Sequence, residues 1–281
     1  METNLNTSRK TRASSRLILP VTILSLILAG ISTPISSAQT QTALAPVGQA
    51  GQVYYAAFPK TITLDASLED WAFVPKVVVT AGLRPANDPD EDGSLTFAVV
   101  ADQKNLYFMA EVPDKQIIAG QNGSQYWLED SLEFYTNFTG DLKLRSYKSG
   151  VSQITIPAAN IGNSNPDTAI ISGLGGSKRD MRALVWRTAS GYALEASLPL
   201  PERFNLEHGA SIGFDAHLNG ASDTQHPQAV KLVWSAQPQT DQMNSSNTPA
   251  TFGKLVFFKI GSSGSCDGMI PQCLPETKRK R

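Results

Sequence analysis

The chain has 281 residues, 41% of them hydrophobic and 17% charged, with a formal net charge of −1. That is ample apolar material for a core and too few charges for a disordered or coiled-coil chain. The balance excludes a whole-chain basic field of the kind that grips nucleic acid, and two cysteines with three histidines argue against a zinc cluster.

The charge is unevenly spread. Residues 1–38 hold Arg9, Lys10, Arg12 and Arg16 against Glu2, and 261–281 hold Lys278, Arg279, Lys280 and Arg281 against Asp267 and Glu276, which leaves 16 basic and 22 acidic residues in 39–260. The basic stretch runs into Leu17–Ile31, 15 mostly apolar residues that fit the core of an export signal and fall short of a membrane span. Ser36 and Ala38 supply the small residues of a cleavage site, the alternative being an uncleaved N-terminal anchor. Residues 1–38 therefore read as a signal peptide and 39–58 as a flexible Gln-, Thr-, Ala- and Gly-rich leader. The folded domain is expected over 59–260, with a Gly/Ser linker and basic tail over 261–281 and no membrane span once the signal is removed. In an oxidising compartment Cys266 and Cys273 either close a small loop in that tail or stay free thiols. The mature protein is expected to be secreted or held at the cell surface.

Within 59–260 the hydrophobic period is two. Leu95, Phe97 and Val99 alternate with Thr96, Ala98 and Val100, and Asp102–Asn105 turns the chain into Leu106–Val112, a hairpin signal. Leu132, Phe134 and Thr136 oppose Ser131, Glu133 and Tyr135. Tyr192–Leu198 and Ile212–Asn219 alternate in the same way, and Val230–Trp234 and Phe252–Ile260 read as closing strands. No stretch makes a long amphipathic helix. Many short strands, each with one polar face, predict an all-β fold: a single antiparallel, jelly-roll-like β-sandwich domain.

No catalytic motif stands up. Gly209-Ala-Ser211-Ile-Gly213 matches a nucleophile elbow in letters, but it leaves a turn and enters a strand, where the elbow needs strand, turn and helix. Gly173-Leu174-Gly175-Gly176 lacks the βαβ setting of a dinucleotide site. Scattered acids fit glycoside hydrolysis only if two of them face each other across a bond, and their ordinary place is a solvated surface.

Tyr126-Trp127-Leu-Glu129-Asp130-Ser131-Leu-Glu133-Phe134-Tyr135 is more informative. On a strand starting near Asp130, Ser131, Glu133 and Tyr135 share one face, and Trp127 lies on a loop at its rim. An aromatic plate beside a carboxylate suits a sugar, the plate covering the apolar C–H face of a pyranose and the carboxylate accepting from its hydroxyls. On the other reading of the same residues, Trp127 plugs the core.

From here the chain resembles carbohydrate-binding module family 9 over most of residues 61–258. Ile62–Trp71 is similar to the family's opening "I-D-G-x-x-D-x-x-W", and Val99–Tyr107 to its "W-D-x-x-x-L-Y". Trp127-x-x-Asp130-Ser131-Leu132-Glu133 matches "W-x-x-D-S-[VL]-E". Tyr192–Leu198, Ile212–Asn219, and Trp234 with Phe252–Leu255 follow in the family's order. The resemblance implies a secreted, non-catalytic β-sandwich that binds a sugar or a polysaccharide end in a slot between two tryptophans, with structural calcium, in association with polysaccharide breakdown. Cello- or xylo-oligosaccharides, or plant or microbial polysaccharide, would be its partners. Carried over by position, Trp127 is one wall, Glu133 a hydroxyl-binding acid and His217 a polar contact, with Tyr135 and Asn219 beside them on the same strands. The resemblance assigns no particular calcium ligands. The second wall belongs to a loop that here reads Thr240–Pro249 and carries no aromatic, and the site arginine gives way to a residue near Thr155.

Two other functions remain. A surface adhesion or structural domain would keep the sandwich and lose the slot. A haem-binding electron-transfer module would need His217 with Met109 or Met181 as axial ligands. About 20 residues on either side of the domain leave no room for a catalytic domain.

Overall fold

The computed structural model describes residues 43–83, 93–175, 180–222 and 228–262. The export signal and the Cys266–Cys273 tail lie outside them. The described chain is built of strands: β1 (Val53–Phe58), β2 (Val77–Val79), β3 (Gly82–Leu83), β4 (Leu95–Ala101), β5 (Asn105–Pro113), β6 (Ser131–Asn137), β7 (Val151–Pro157), β8 (Arg182–Arg187), β9 (Gly191–Pro199), β10 (Ser211–Gly220), β11 (Val230–Val233) and β12 (Gly253–Lys259). The helical segments described are single 3-10 turns, and no helix among the described residues is long and apolar enough to cross a membrane. The fold is all-β, as the period-two pattern predicts.

The strands form one hydrogen-bonded sheet in the order β8-β9-β5-β4-β1-β12-β10-β11-β3, with β2 added along β4 and with β6 and β7 continuing from the other side of β10. The ten-residue β10 makes this branching geometry work: β12 pairs with it at Ser211–Phe214, β11 at His217–Gly220, and β6 along the opposite edge from Gly213 to Asn219. The sheet folds over on itself, so Phe108 of β5 stacks on Phe134 of β6 at 4.6 Å between ring centroids and on Phe214 of β10 at 6.3 Å. Phe97 and Trp234 meet edge-on at 5.9 Å in the same core.

Two expectations are corrected here. Val53–Phe58 is not flexible leader. It is β1, parallel to β12 through six residue pairs and to β4 at Ala57, so the sheet is not wholly antiparallel. Its Tyr54, Ala56 and Phe58 enter the central core while Tyr55 and Ala57 face a second one. The flanking Gln, Ala and Gly residues dilute a six-residue run too short to register in a compositional window. The second correction is that β1, β4 and β5 carry no polar face. Ala98, Val100, Tyr107 and Met109 pack outward against Ala45, Ile62, Trp71 and Val74, and strands covered on both faces read as near-continuous apolar runs. The covering segment is held by Glu195 of β9, whose carboxylate accepts from the N–H groups of Asp65 and Ala66 at 3.2 Å and from Trp71 Nε1 at 2.8 Å.

β1 links the β12 side of the sheet to the β4 side, and it buries Tyr54 and Phe58. Each large side chain withheld from the core costs about 1.5–3 kcal/mol, against a total stability on the order of 5–15 kcal/mol. Residues 43–262 are therefore expected to melt cooperatively by circular dichroism. Residues 59–262, lacking β1, are expected to show no cooperative transition. Equal melting temperatures for the two fragments would contradict the role given to β1.

Candidate functional site

Strand register places the polar residues. Directly opposed residues in a sheet point to the same face, so the pairings give three polar rows across β7, β6, β10 and β11. One is Ser131, Asn219 and Lys231. The next is Thr155, Glu133 and His217. The last is Gln153, Tyr135 and Asp215. The rows are two residues apart, about 7 Å by strand geometry.

Glu133 is the hub of this face. Its Oε2 accepts from Lys231 Nζ at 2.6 Å and from Tyr135 Oη at 2.7 Å, and its Oε1 accepts from Gln153 Nε2 at 2.9 Å and Thr155 Oγ1 at 3.2 Å. Burial raises the pKa of this carboxyl, but the charge of Lys231, the His217 ring and the Lys231 and Tyr135 hydrogen bonds outweigh it and bring the value down to about 2. Lys231 also donates to Asn219 Oδ1 at 2.9 Å. Asn219 in turn donates through Nδ2 to Ser131 Oγ at 3.0 Å. His217 shares Nε2 with Asp215 Oδ2 at 3.0 Å, and its Nδ1, 3.8 Å from Glu133 Oε2, has no hydrogen-bond partner among the described residues. Asp215 is further satisfied by the Ala216 and Ser235 N–H groups and by Ser245 Oγ.

Trp127 stands outside this network, 40% exposed on the 3-10 turn Tyr126–Leu128. It does not plug the core. The two acids that follow it hold its loop: the fully buried Glu129 accepts from the N–H groups of Gly120, Gln121 and Asn122, and Asp130 accepts from those of Ile118 and Ala221. Gln228 N–H donates to Leu128 O at 3.1 Å, tying the turn to the segment before β11. Trp127 thus sits by the Ser131–Asn219 row. At the opposite end of the rows lies the 240–249 loop, pinned by Ser245 to Asp215 and by Tyr147 Oη, which donates to Ser245 O at 2.7 Å.

Between them is a cleft of about 860 Å³, within the size range of small-molecule sites. Of the five residues singled out in the sequence, Trp127 and Glu133 line it. Tyr135, His217 and Asn219 do not: they are buried beneath it, where Tyr135 holds Glu133, Asn219 holds Lys231 and His217 pairs with Asp215. Sequence reasoning missed Lys231, Gln153, Gln228, Asn244 and Asn247, all of which reach the cleft. Lys231 was discernible as a polar residue between Val230 and Leu232 on an expected strand, whereas Gln153 follows Ser152 on a strand the pattern did not mark; the register that aims both at Glu133 is long-range. The loop expected to carry the second wall does line the cleft, through Asp241, Asn244, Ser246 and Asn247. Thr155, at the position that lacks the arginine, hydrogen-bonds Glu133, and the cation arrives instead from β11.

Among the described residues no three His, Cys, Asp or Glu side chains gather as a cation site. The buried carboxylates Glu129, Asp130, Glu195 and Asp215 accept from N–H groups, and Glu133 from an ammonium, so these side chains do not fit a calcium cage. The two methionines considered for haem belong to different cores, Met109 to the outer and Met181 to the central one, while His217 lies in the polar row with Glu133 and Thr155.

A family model described as "Carbohydrate family 9 binding domain-like" matches residues 65–259. Two solved structures of a carbohydrate-binding module family 9 from Caldicellulosiruptor kristjanssonii share the fold. The one in complex with cellotriose has a TM-score of 0.58 at 18% identity, covering 78% of this chain and 97% of that one. The one in complex with glucose has a TM-score of 0.60 at 18% identity, covering 76% and 100%. No curated protein matches the chain.

The network around Glu133 makes an acid-stability prediction. A carboxyl whose pKa falls from an ordinary 4.5 to about 2 on folding contributes stability above pH 4.5, and that contribution disappears as pH drops toward 2. It amounts to about 3 kcal/mol. Urea titrations of wild type and Glu133→Gln are expected to differ most near pH 6 and to converge by about pH 2. Lys231→Met is expected to start the acid loss at higher pH. A difference between wild type and Glu133→Gln that stays constant with pH would contradict this account.

Proposed function

The chain belongs to the carbohydrate family 9 binding domain-like family, and we propose that its ligand is a neutral sugar held in the cleft between Trp127 and the 240–249 loop. It is a carbohydrate-binding module. We read the folded-over sheet as a jelly-roll-like sandwich whose polar strand face is the floor of the site, and the module as non-catalytic and exported, serving polysaccharide breakdown.

The observation that carries this reading is a partly exposed indole beside a buried carboxylate whose other contacts are all satisfied. The indole offers a flat apolar surface for the C–H face of a pyranose. The amides of Gln153, Gln228, Asn244 and Asn247 offer acceptors and donors to its hydroxyls, above a floor in which the four acceptor sites of Glu133 are filled by protein donors. Charge in the cleft favours a neutral ligand: Lys231 is taken by Glu133, and Asp241 adds a second carboxylate. The cellotriose and glucose bound by the two similar structures are sugars of this kind.

The polar 240–249 loop leaves one aromatic wall. If stacking on such a wall buries roughly 60 Å² of apolar surface, it contributes about 1.5 kcal/mol, a factor of about ten in affinity. Calorimetric titration with cello- and xylo-oligosaccharides is expected to show Trp127→Ala weakened at least about ten-fold with an unchanged melting temperature. Ser246→Trp, which places an aromatic on the facing loop, is expected to gain affinity. Undiminished binding by Trp127→Ala would move the site elsewhere. No heat from wild type with any sugar would favour an adhesion or structural domain. Repeating the titration and the melt with a chelator tests for calcium.

A further inference from the structure

The Gly173-Leu174-Gly175 run, which carries no nucleotide chemistry here, has a different use. Ser172 bridges antiparallel to Thr155, and Gln153 N–H donates to Leu174 O at 3.0 Å, so the run lies along the free edge of β7. Gly173 and Gly175 have φ of +109° and +91°, and a Cβ on them would sit 2.2 Å from Gln153 O and 2.5 Å from Val151 O. Only glycine allows the backbone this close. The side chain left projecting is Leu174, a large apolar group 49% exposed.

Leu174 is shared by two hollows. It lines the cleft of about 860 Å³ that holds Trp127 and Glu133, and it lines a second one of about 750 Å³ formed by Tyr147–Val151 and Pro199–Pro201. The first crosses the strands from β11 over β10 and β6 to β7, and the second continues past the β7 edge.

We propose that Leu174 is an aliphatic platform over which a linear neutral polysaccharide passes from the first hollow into the second, so that the protein takes internal stretches of a chain and not only its ends. This rests on the first cleft being the sugar site. Leu174 would cover the C–H face of a sugar residue beyond the one stacked on Trp127, supplying apolar contact that the 240–249 loop does not. An end-binding slot would be closed at this point, whereas here the two hollows meet at a side chain half open to solvent.

The test is calorimetric titration of the protein with cello- and xylo-oligosaccharides of two to six units, each also after borohydride reduction of its terminal aldehyde. Affinity is expected to rise by about ten-fold between the disaccharide and the hexasaccharide, with the reduced hexasaccharide bound as tightly as the parent. Leu174→Ser is expected to lose about ten-fold on the hexasaccharide and distinctly less on the disaccharide, and Leu174→Trp to widen the gap between them. Affinity that stops rising at the disaccharide, binding lost on reduction, or a Leu174→Ser effect equal at all lengths would overturn this inference while leaving the sugar site in place. No heat with any oligosaccharide would overturn both.

Discussion

Glu133 carries a charge beneath a layer of loops, and a charge there is tolerable only with its donors in place. Four side chains from three strands meet that requirement: Tyr135 beside it on β6, Gln153 and Thr155 on β7, and Lys231 across β10 on β11. Shifting β7 or β11 by one residue would turn its donors to the opposite face and leave the carboxylate short of a partner at a cost of several kcal/mol. The same condition that makes the fold specific also makes the cleft floor rigid. A floor whose central carboxylate is held in one rotamer by four donors leaves the residues around it little entropy to lose when a ligand binds.

The segment from Trp127 to Glu133 divides its labour by position. Trp127 faces out, Glu129 and Asp130 turn back to bind the N–H groups of the loop before them, Ser131 receives Asn219, and Glu133 reaches the floor. Glu129 and Asp130, the acids nearest Trp127 in the sequence, are the two that hold its loop. A half-exposed indole on an untethered loop would find apolar surface to cover. Tied at Gly120–Asn122, Ile118 and Ala221, it stays at the mouth of the cleft.

How much of this was legible in the sequence depends on range. Strands with one polar face, β6, β9 and β10, show their alternation, and so does the Asp102 turn, whose carboxylate accepts from Lys104 and Asn105 N–H as an Asx turn does. β1 was not legible, because six residues buried on both faces carry no alternation and sit in a polar, Gly-rich setting. The placement of Trp127 at a rim followed from its distance before β6. That His217 and Asn219 lie under the floor did not, since alternation fixes which face a side chain takes and not what covers that face. Lys231 replaces a cation expected near Thr155 from another strand, a substitution in space that no local pattern records. The glycines at 173 and 175 were visible as letters only. Their meaning is the approach of one backbone to another.

The central claim is that a sugar sits between Trp127 and the 240–249 loop on the Glu133 floor. A two-dimensional NMR titration with cellotriose reads this residue by residue. The account predicts shifts of the Trp127 indole N–H and of the side-chain amides of Gln153, Asn244 and Asn247, while the buried indoles of Trp71 and Trp234 stay put. Shifts confined to another face, or none at saturating sugar, would contradict it.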